Sequence, residues 1–444
     1  MERWILSHYT SIIKCESGEV IFYNSFMGAI ARLSDQQYKN IEKFISSGFE
    51  EKNIAENKIL EEFSREGFFT PENSAEKKKV IKLLDKEREA NRFSILILPH
   101  ENCNFRCIYC YEKFERGKMK PSIVQGLKLF VDKKIRETKG LKELSVSWFG
   151  GEPLLAQDII AKLSDYFITG CEKNKISYRS GGMSTNGYFL TPKMVDRLLK
   201  CQIKNFQVTL DGPEAVHNSH RKLVGGGKTY TRILENLTKM KARKDDFFVR
   251  IRINFNAESV EAVKKWLKEE IAPLFSADAR FALSFNSIGR WGGKNDSSLS
   301  VCDSLSASSL RADFAAQSQL CNFSDRSAKE PLMPHGSVCF ASKESSLVVG
   351  SNGNIYKCTV ALDDPINLVG KLTNDGRLEI NQTRWNKWTK IDDKDNSWCD
   401  VCTFYPSCQG RKCPLAAMNQ KKPICPMTKK EYEHYQQAMS EKGN

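Results

Sequence analysis

The chain has 444 residues, a formal net charge of +14, 40% hydrophobic residues and fifteen cysteines. That length implies two or three domains, no run approaches the roughly 18 to 20 consecutive apolar residues of a membrane helix, and the opening MERWILSHYTSIIK lacks the basic stretch and apolar core of a secretory signal. Many cysteines in a long chain without a signal read as thiols or metal ligands in a reducing compartment, so a cytoplasmic location is expected. The positive charge admits nucleic acid or an acidic peptide as partner, and equally a merely well-solvated surface.

In chain order, Tyr9 to Cys15 and Val20 to Tyr23 are short apolar or β-branched runs around a Ser17-Gly18 turn, a hairpin pattern. Ser34-Asp35 opens a helix through Ile45, a second helix spans Lys58 to Arg65, and Gly67 to Thr70 reads as a short strand before Pro71. Strands and short helices in this order fit a small winged-helix-like module, which binds nucleic acid or takes an extended peptide onto a sheet edge. Its wing-like parts carry few Lys or Arg, which disfavours nucleic acid. Glu76 to Arg92 places Val80, Leu83 and Leu84 on one stripe with charges elsewhere, a connecting helix that closes this unit at residue 92.

Phe93 to Leu98 (FSILIL) reads as a buried strand. Directly after it, ENCNFRCIYCYE (Glu101 to Glu112) spaces Cys103, Cys107 and Cys110 as C-x-x-x-C-x-x-C. Three thiolates on one loop can hold a 4Fe-4S cluster by three irons and leave the fourth open to a small ligand. A closed zinc site needs four ligands, and no fourth Cys or His follows nearby. Later strand-like runs are Ser145 to Phe149, Gly182 to Asn186, Phe206 to Leu210, Val249 to Phe255 and Ala282 to Ser287. Helical stretches intervene at Pro121 to Glu137, Gln157 to Cys171, Pro192 to Lys200, Tyr230 to Arg243 and Ser259 to Leu274. Six strand-helix units predict a parallel α/β sheet curved as an incomplete barrel, with its site at the strands' C-terminal ends. Residues 289–334, polar and Ser-rich, read as a linker or loop.

At the ends of these strands stand Gly150-Gly151-Glu152-Pro153, Ser184-Thr185-Asn186-Gly187 and Thr209-Leu210-Asp211-Gly212-Pro213, the last followed by His217, His220 and Arg221. Glycines let backbone approach a ligand, and Glu152 offers an acceptor for a cation. His217 and His220 read as members of a polar turn without an acidic partner at ligand spacing.

The cysteine spacing with Tyr109 before the third cysteine, together with this register of strand-end motifs, resembles the radical S-adenosylmethionine (SAM) superfamily. The resemblance implies that Cys103, Cys107 and Cys110 hold a 4Fe-4S cluster whose open iron chelates SAM, and that one electron cleaves SAM to methionine and a 5′-deoxyadenosyl radical. It implies SAM contacts at Tyr109 (adenine), at Gly150, Gly151, Glu152 and Pro153 (amino group), at Thr209 and Arg221 (ribose or carboxylate), and at Ser184. An Arg suits a carboxylate because its planar fork grips both oxygens.

Further cysteines follow at Cys339, Cys358, Cys399, Cys402, Cys408, Cys413 and Cys425, where a zinc ribbon would use four of the seven. The set resembles the SPASM extension of radical SAM enzymes, with one residue more than usual between Cys408 and Cys413. That resemblance implies two auxiliary 4Fe-4S clusters, three in all. Cys399, Cys402, Cys408 and Cys425 would close one. Cys339, Cys358 and Cys413 would bind the other, with Cys302, Cys321 or substrate completing it. Cys15, Cys171 and Cys201 read as ordinary thiols.

The expected architecture is therefore α/β: a winged-helix-like module at 1–92, a TIM-like partial (β/α)6 barrel at 93–288, a linker at 289–334 and an auxiliary-cluster domain at 335–444. The expected function is a maturase that installs a thioether, C-C or C-O crosslink in a ribosomally made precursor peptide, its leader bound by the N-terminal unit, with flavodoxin or ferredoxin as electron donor and no membrane partner. A sulfatase-maturing enzyme that makes formylglycine is the runner-up. Against it stand the hundred or so residues before the cysteine loop and Thr359, where such enzymes resemble one another in having an Asp after the cysteine matching Cys358. An RNA-modifying enzyme is the alternative from another class, marked by salt-sensitive RNA binding. Asp211, Tyr356 and Lys357 are unranked candidates for a base.

Overall fold

The structure is a computed structural model that describes residues 2–15, 17–88, 91–323, 333–334, 336–390, 399, 402–410, 413–420 and 425. It divides into two compact units. One holds the described residues of 1–89, 326–343 and 387–444, the other those of 90–325 and 344–386. The segment 344–386 thus joins the unit that contains the parallel strands, whereas the sequence reading grouped it with the C-terminal cysteines.

In the first unit the hairpin forms as expected, Thr10–Lys14 antiparallel to Val20–Asn24, and a third strand, Ala29–Leu33, pairs with the latter. A second sheet places Arg3–Leu6 between Phe49–Glu50 and Phe69–Pro71. The helix Asp35–Ser47 starts where Ser34 and Gln37 cap each other reciprocally, and it ends at Gly48, whose φ of 68° needs no side chain. Lys58–Arg65 is helical as read, capped by Asn57. Phe22, Ile41, Leu60, Phe63, Phe68 and Phe69 bury the common core of these elements.

The second unit is built on a sheet of ten strands, six of which follow the sequence reading: Arg92–His100, Glu143–Gly150, Ser177–Thr185, Asn205–Thr209, Phe248–Phe255 and Phe281–Ser287. All six are parallel, in chain order from one side of the sheet to the other. Arg92–His100 is apolar over most of its length, whereas Glu143–Gly150, Asn205–Thr209 and much of Phe248–Phe255 alternate buried apolar residues with partly buried, mostly polar ones, the pattern of strands with one face in the core. Helices begin where Pro121, Gln157 and Pro192 were expected, prolines at the first helical position leaving no backbone N–H to waste. Beyond Arg92–His100 the sheet continues with Ser346–Val349, added in parallel, and then with three antiparallel strands ending at Leu378–Ile380.

Two expectations are corrected. Residues 289–334 are not wholly linker, because Ser304–Leu320 is a helix. Its buried positions, Ala307, Phe314 and Ser318, recur at helical spacing but two of them are small, so no apolar stripe stands out in the sequence. Phe314 packs on Phe255 and Phe285 with ring centroids 4.9 and 4.8 Å away. His217 and His220 do not sit in a polar turn without an acidic neighbour either: both are buried on the helix Glu214–His220, close to Asp211. Among the described residues no helix is long and apolar enough to cross a membrane.

Candidate active site

The parallel strands meet at a cavity of about 500 Å³, which five of the six line at or beside their C-terminal ends, through Gly150, Ser184, Thr209, Asn254 and Asn286, and which the first lines through Leu96 at its middle. Cys103, Cys107 and Cys110 line the same cavity with Tyr109, Gly151 and Arg221.

The cysteine loop is held from both ends. Phe105–Cys107 pairs antiparallel with Arg221–Leu223, which sets Cys107 directly opposite Arg221. Strands of three residues leave no period to read, so this pairing is invisible in the sequence. On the other side the two glycines admit the loop's backbone: a Cβ on Gly150 would lie 2.4 Å from the His100 carbonyl oxygen, and one on Gly151 would lie 2.6 Å from Asn102. The close approach they permit is therefore to the cysteine loop itself.

Tyr109 carries its hydroxyl into a buried network. It donates to Asp211 Oδ2 at 2.5 Å and accepts from Arg221 Nη1 at 2.8 Å and Asn254 Nδ2 at 3.0 Å. Asp211 also accepts from the backbone and side chain of Asn254 at 3.1 and 3.0 Å. His220 Nδ1 stands 3.8 Å from Asp211, too far for a hydrogen bond. Burial alone would raise the Asp211 carboxyl, but His220, Arg221, His217 and the Tyr109 hydroxyl outweigh it and hold the group below the usual carboxylate range. His217 accepts from the Asp211 backbone N–H through Nδ1 and faces Thr229 Oγ1 through Nε2, and burial followed by the nearby Arg221 charge lowers it to about 3.

Burial pushes the three loop thiols up, Cys103 to about 12. Their ionisation therefore calls for a cationic group among them, as binding to a metal cluster provides. Arg221 is buried, and its Nε has no hydrogen-bond partner among the described residues while the side chain lines the cavity. An unpaired guanidinium N–H at that wall suits a carboxylate ligand. The donor set and this orphan donor together fit an iron-sulfur group with a carboxylate-bearing cofactor beside it.

Residues 97–269 match the family model described as the Radical SAM superfamily. The chain carries a radical SAM domain. This enzyme is 23% identical over 321 residues to the radical SAM cyclopropyl synthase TigE of Paramaledivibacter caminithermalis, an alignment covering 64% of this chain and 65%, just under two thirds, of that relative. It is 25% identical over 345 residues to a cysteine-type anaerobic sulfatase-maturating enzyme of Clostridium perfringens, covering 72% and 89% of the two chains. The solved structure of anSMEcpe with bound AdoMet superposes with a TM-score of 0.56 at 20% identity, over 77% of this chain and 95% of that one, and shows a shared fold.

Not every expected contact of the radical SAM enzyme faces the cavity. Glu152 and Pro153 are buried and do not line it. Glu152 accepts instead from the Leu154 N–H at 3.0 Å, Thr185 Oγ1 at 2.8 Å and the Asn186 N–H at 2.8 Å, tying the end of the second parallel strand to the end of the third. None of Asp211, Tyr356 and Lys357 lines the cavity, and Lys357 Nζ is buried against the Ser346 carbonyl at 2.5 Å. The sequence reading missed Gln207, Arg252, Asn254 and Asn286, which do line it. Their signal was polar side chains two residues apart within apolar strands, as at Gln207 and Thr209 or Arg252 and Asn254, which alternation sends to the same face. Glu112 lines it too, raised to about 8 by burial and then by Glu101.

The second cysteine set divides between the units. Cys358 belongs with the parallel strands, and the two residues after it, Thr359 and Val360, line the cavity. Cys339 and Cys413 belong to the other unit, as do Cys399, Cys402, Cys408 and Cys425. The last four lie close enough that Cys408, raised to about 12 chiefly by burial, is raised further by the sulfurs of Cys402, Cys399 and Cys425. Among the described residues no three Cys, His, Asp or Glu side chains form a cage for a single metal ion. Four thiols are the donor set that an iron-sulfur cluster takes, and Cys402 and Cys408 share one packed cluster.

Proposed function

We propose that this radical SAM enzyme modifies a ribosomally made precursor peptide and closes a crosslink within it. The observation that carries the reading is the cavity itself, where all six parallel strands, three thiols on one loop and an unpaired buried Arg221 nitrogen converge. With SAM and a 4Fe-4S group bound, one-electron reduction would supply a 5′-deoxyadenosyl radical. Cys103, Cys107 and Cys110 would hold the cluster, Arg221 the carboxylate of SAM, and Ser184 and Thr209 its polar edge. Tyr109, with its hydroxyl locked by three partners, presents a fixed ring to the cavity. Leu96, Phe149, Ile288 and Phe114 give the wall its apolar part, against which a reactive carbon centre would meet less water. On this reading Cys399, Cys402, Cys408 and Cys425 hold an auxiliary cluster.

A peptide substrate is supported by the breadth of the likeness to the sulfatase-maturating enzyme and by a solved neighbour, anSMEcpe with bound AdoMet and Kp18Cys peptide, which aligns over 78% of this chain with a TM-score of 0.55. The same likeness favours a second reading, formylglycine formation in a sulfatase. Thr359 at the cavity wall weighs against it, since a hydroxyl does not replace the base expected of an Asp there.

The test is mass spectrometry of the precursor peptide encoded beside this gene after anaerobic co-expression. Loss of one pair of hydrogens per event, with fragmentation blocked between the joined residues, is expected, whereas an aldehyde would move the assignment to the second reading. Reconstituted protein given a strong reductant should release 5′-deoxyadenosine. Equal yield from Cys107→Ala would overturn the site assignment.

A further inference from the structure

Alternation along its strands gives the N-terminal three-stranded sheet two faces. Val20, Phe22, Ala29, Ala31 and Leu33 face the module's own core. Tyr23 and Ile30, directly opposed across two strands, leave by the other face. That face is covered. Tyr23 is wholly buried, and the pair packs against Phe404, Cys402 and Cys408. Polar contacts fasten the same patch: the Tyr23 hydroxyl is 3.4 Å from Ser407 Oγ, the Ser25 hydroxyl donates to the Thr403 carbonyl, and the Ser407 carbonyl accepts from the Ser337 N–H at 3.1 Å.

We propose that the iron-sulfur group of Cys399, Cys402, Cys408 and Cys425 is a structural staple of the N-terminal module, fixing the 402–408 segment that completes the sheet's second face. The proposal rests on reading these four cysteines as ligands and needs neither SAM nor a peptide. The physical reason is the shape of the covering segment. Its regular structure is a four-residue helix, Tyr405–Cys408, too short to persist by its own hydrogen bonds. Two of its seven residues are candidate ligands, and metal ligation converts binding free energy into folding free energy. The ligands Cys402 and Cys408 touch the Tyr23 and Ile30 patch, so order imposed at the sulfurs is order imposed on the sheet face.

Linkage makes the dependence reciprocal: if the cluster stabilises the packed face, the packed face raises affinity for the cluster. A substitution at Tyr23, remote in sequence from every ligand, must then cost iron. The experiment uses the full-length chain, anaerobically reconstituted, with iron and sulfide analysis and hydrogen exchange read by mass spectrometry. Tyr23→Ala, and the milder Ile30→Ala, are expected to lose about one cluster's worth of iron per chain, while Tyr23→Phe keeps it. Cys408→Ser and Cys425→Ser are expected to speed exchange across residues 20–33 on the order of tenfold or more. Strands 92–100 and 248–255 should keep their protection, which separates this effect from general unfolding. Full iron content in both alanine variants, or unchanged protection of 20–33 in the cysteine variants, would overturn the proposal. Failure of peptide modification alone would leave these readouts intact and count only against the proposed substrate.

Discussion

At the scale of single residues, the Tyr109 hydroxyl is the point where a carboxylate, a guanidinium and an amide meet out of water. Tyr109→Phe keeps the ring but strips each partner of a buried hydrogen bond, so it should cost about 1–3 kcal/mol of stability, seen in the urea midpoint, and weaken SAM binding in equilibrium dialysis. His217 makes a separate prediction about pH. Its imidazole is neutral in the fold, lowered to about 3 by burial and then Arg221, against an ordinary value of 6.5. Below pH 6.5 the unfolded chain takes up a proton that the folded chain refuses, so stability present above that pH is lost as the pH falls. Between pH 7.5 and 5.5 the loss from this group is about 1.4 kcal/mol, and His217→Gln should flatten that part of the urea-midpoint profile. The sequence shows a histidine beside other polar residues. It does not show that Thr229, twelve positions on, and the Asp211 backbone enclose it, because that enclosure depends on where the following chain returns.

At the scale of elements, Phe314 is the largest buried side chain among the described ones of the helix Ser304–Leu320. Phe314→Ala removes a ring wedged between Phe255 and Phe285 and should cost about 3–5 kcal/mol. Arg311 lies on the same helix and lines the cavity, so the substitution should also raise proteolysis of that helix and lower the yield of 5′-deoxyadenosine. Glu152→Ala belongs at this scale because its carboxylate joins two strand ends. Three buried donors would lose their acceptor, and a drop of at least about 3 kcal/mol in unfolding free energy is expected, measured by urea titration. The six parallel strands and most of the helices were legible because apolar residues at strand spacing and prolines at helix starts are local signals. Phe105–Cys107, Arg221–Leu223 and the strands after Ser346 were not, since strands of three to five residues acquire meaning only from the partners they meet.

At the scale of the whole molecule, the first ninety residues read as a self-contained module, yet the structure closes one face of their sheet with residues more than 370 positions later. A fragment of residues 1–92 would expose the Tyr23 and Ile30 pair. It should melt earlier than the same region in the full chain and associate with increasing concentration, as seen in hydrogen exchange and light scattering. The sequence by itself determined the chemistry: cysteine spacing, glycine pairs and strand-end polar motifs are covalent facts that tertiary contacts cannot alter. Only the tertiary structure decided that Glu152 braces two strands, that Arg221 faces Cys107, and that the C-terminal cysteines bear on the N-terminal sheet. Side-chain alternation tells which residues leave a strand together, but what waits on that side is set by long-range packing, which no local pattern records.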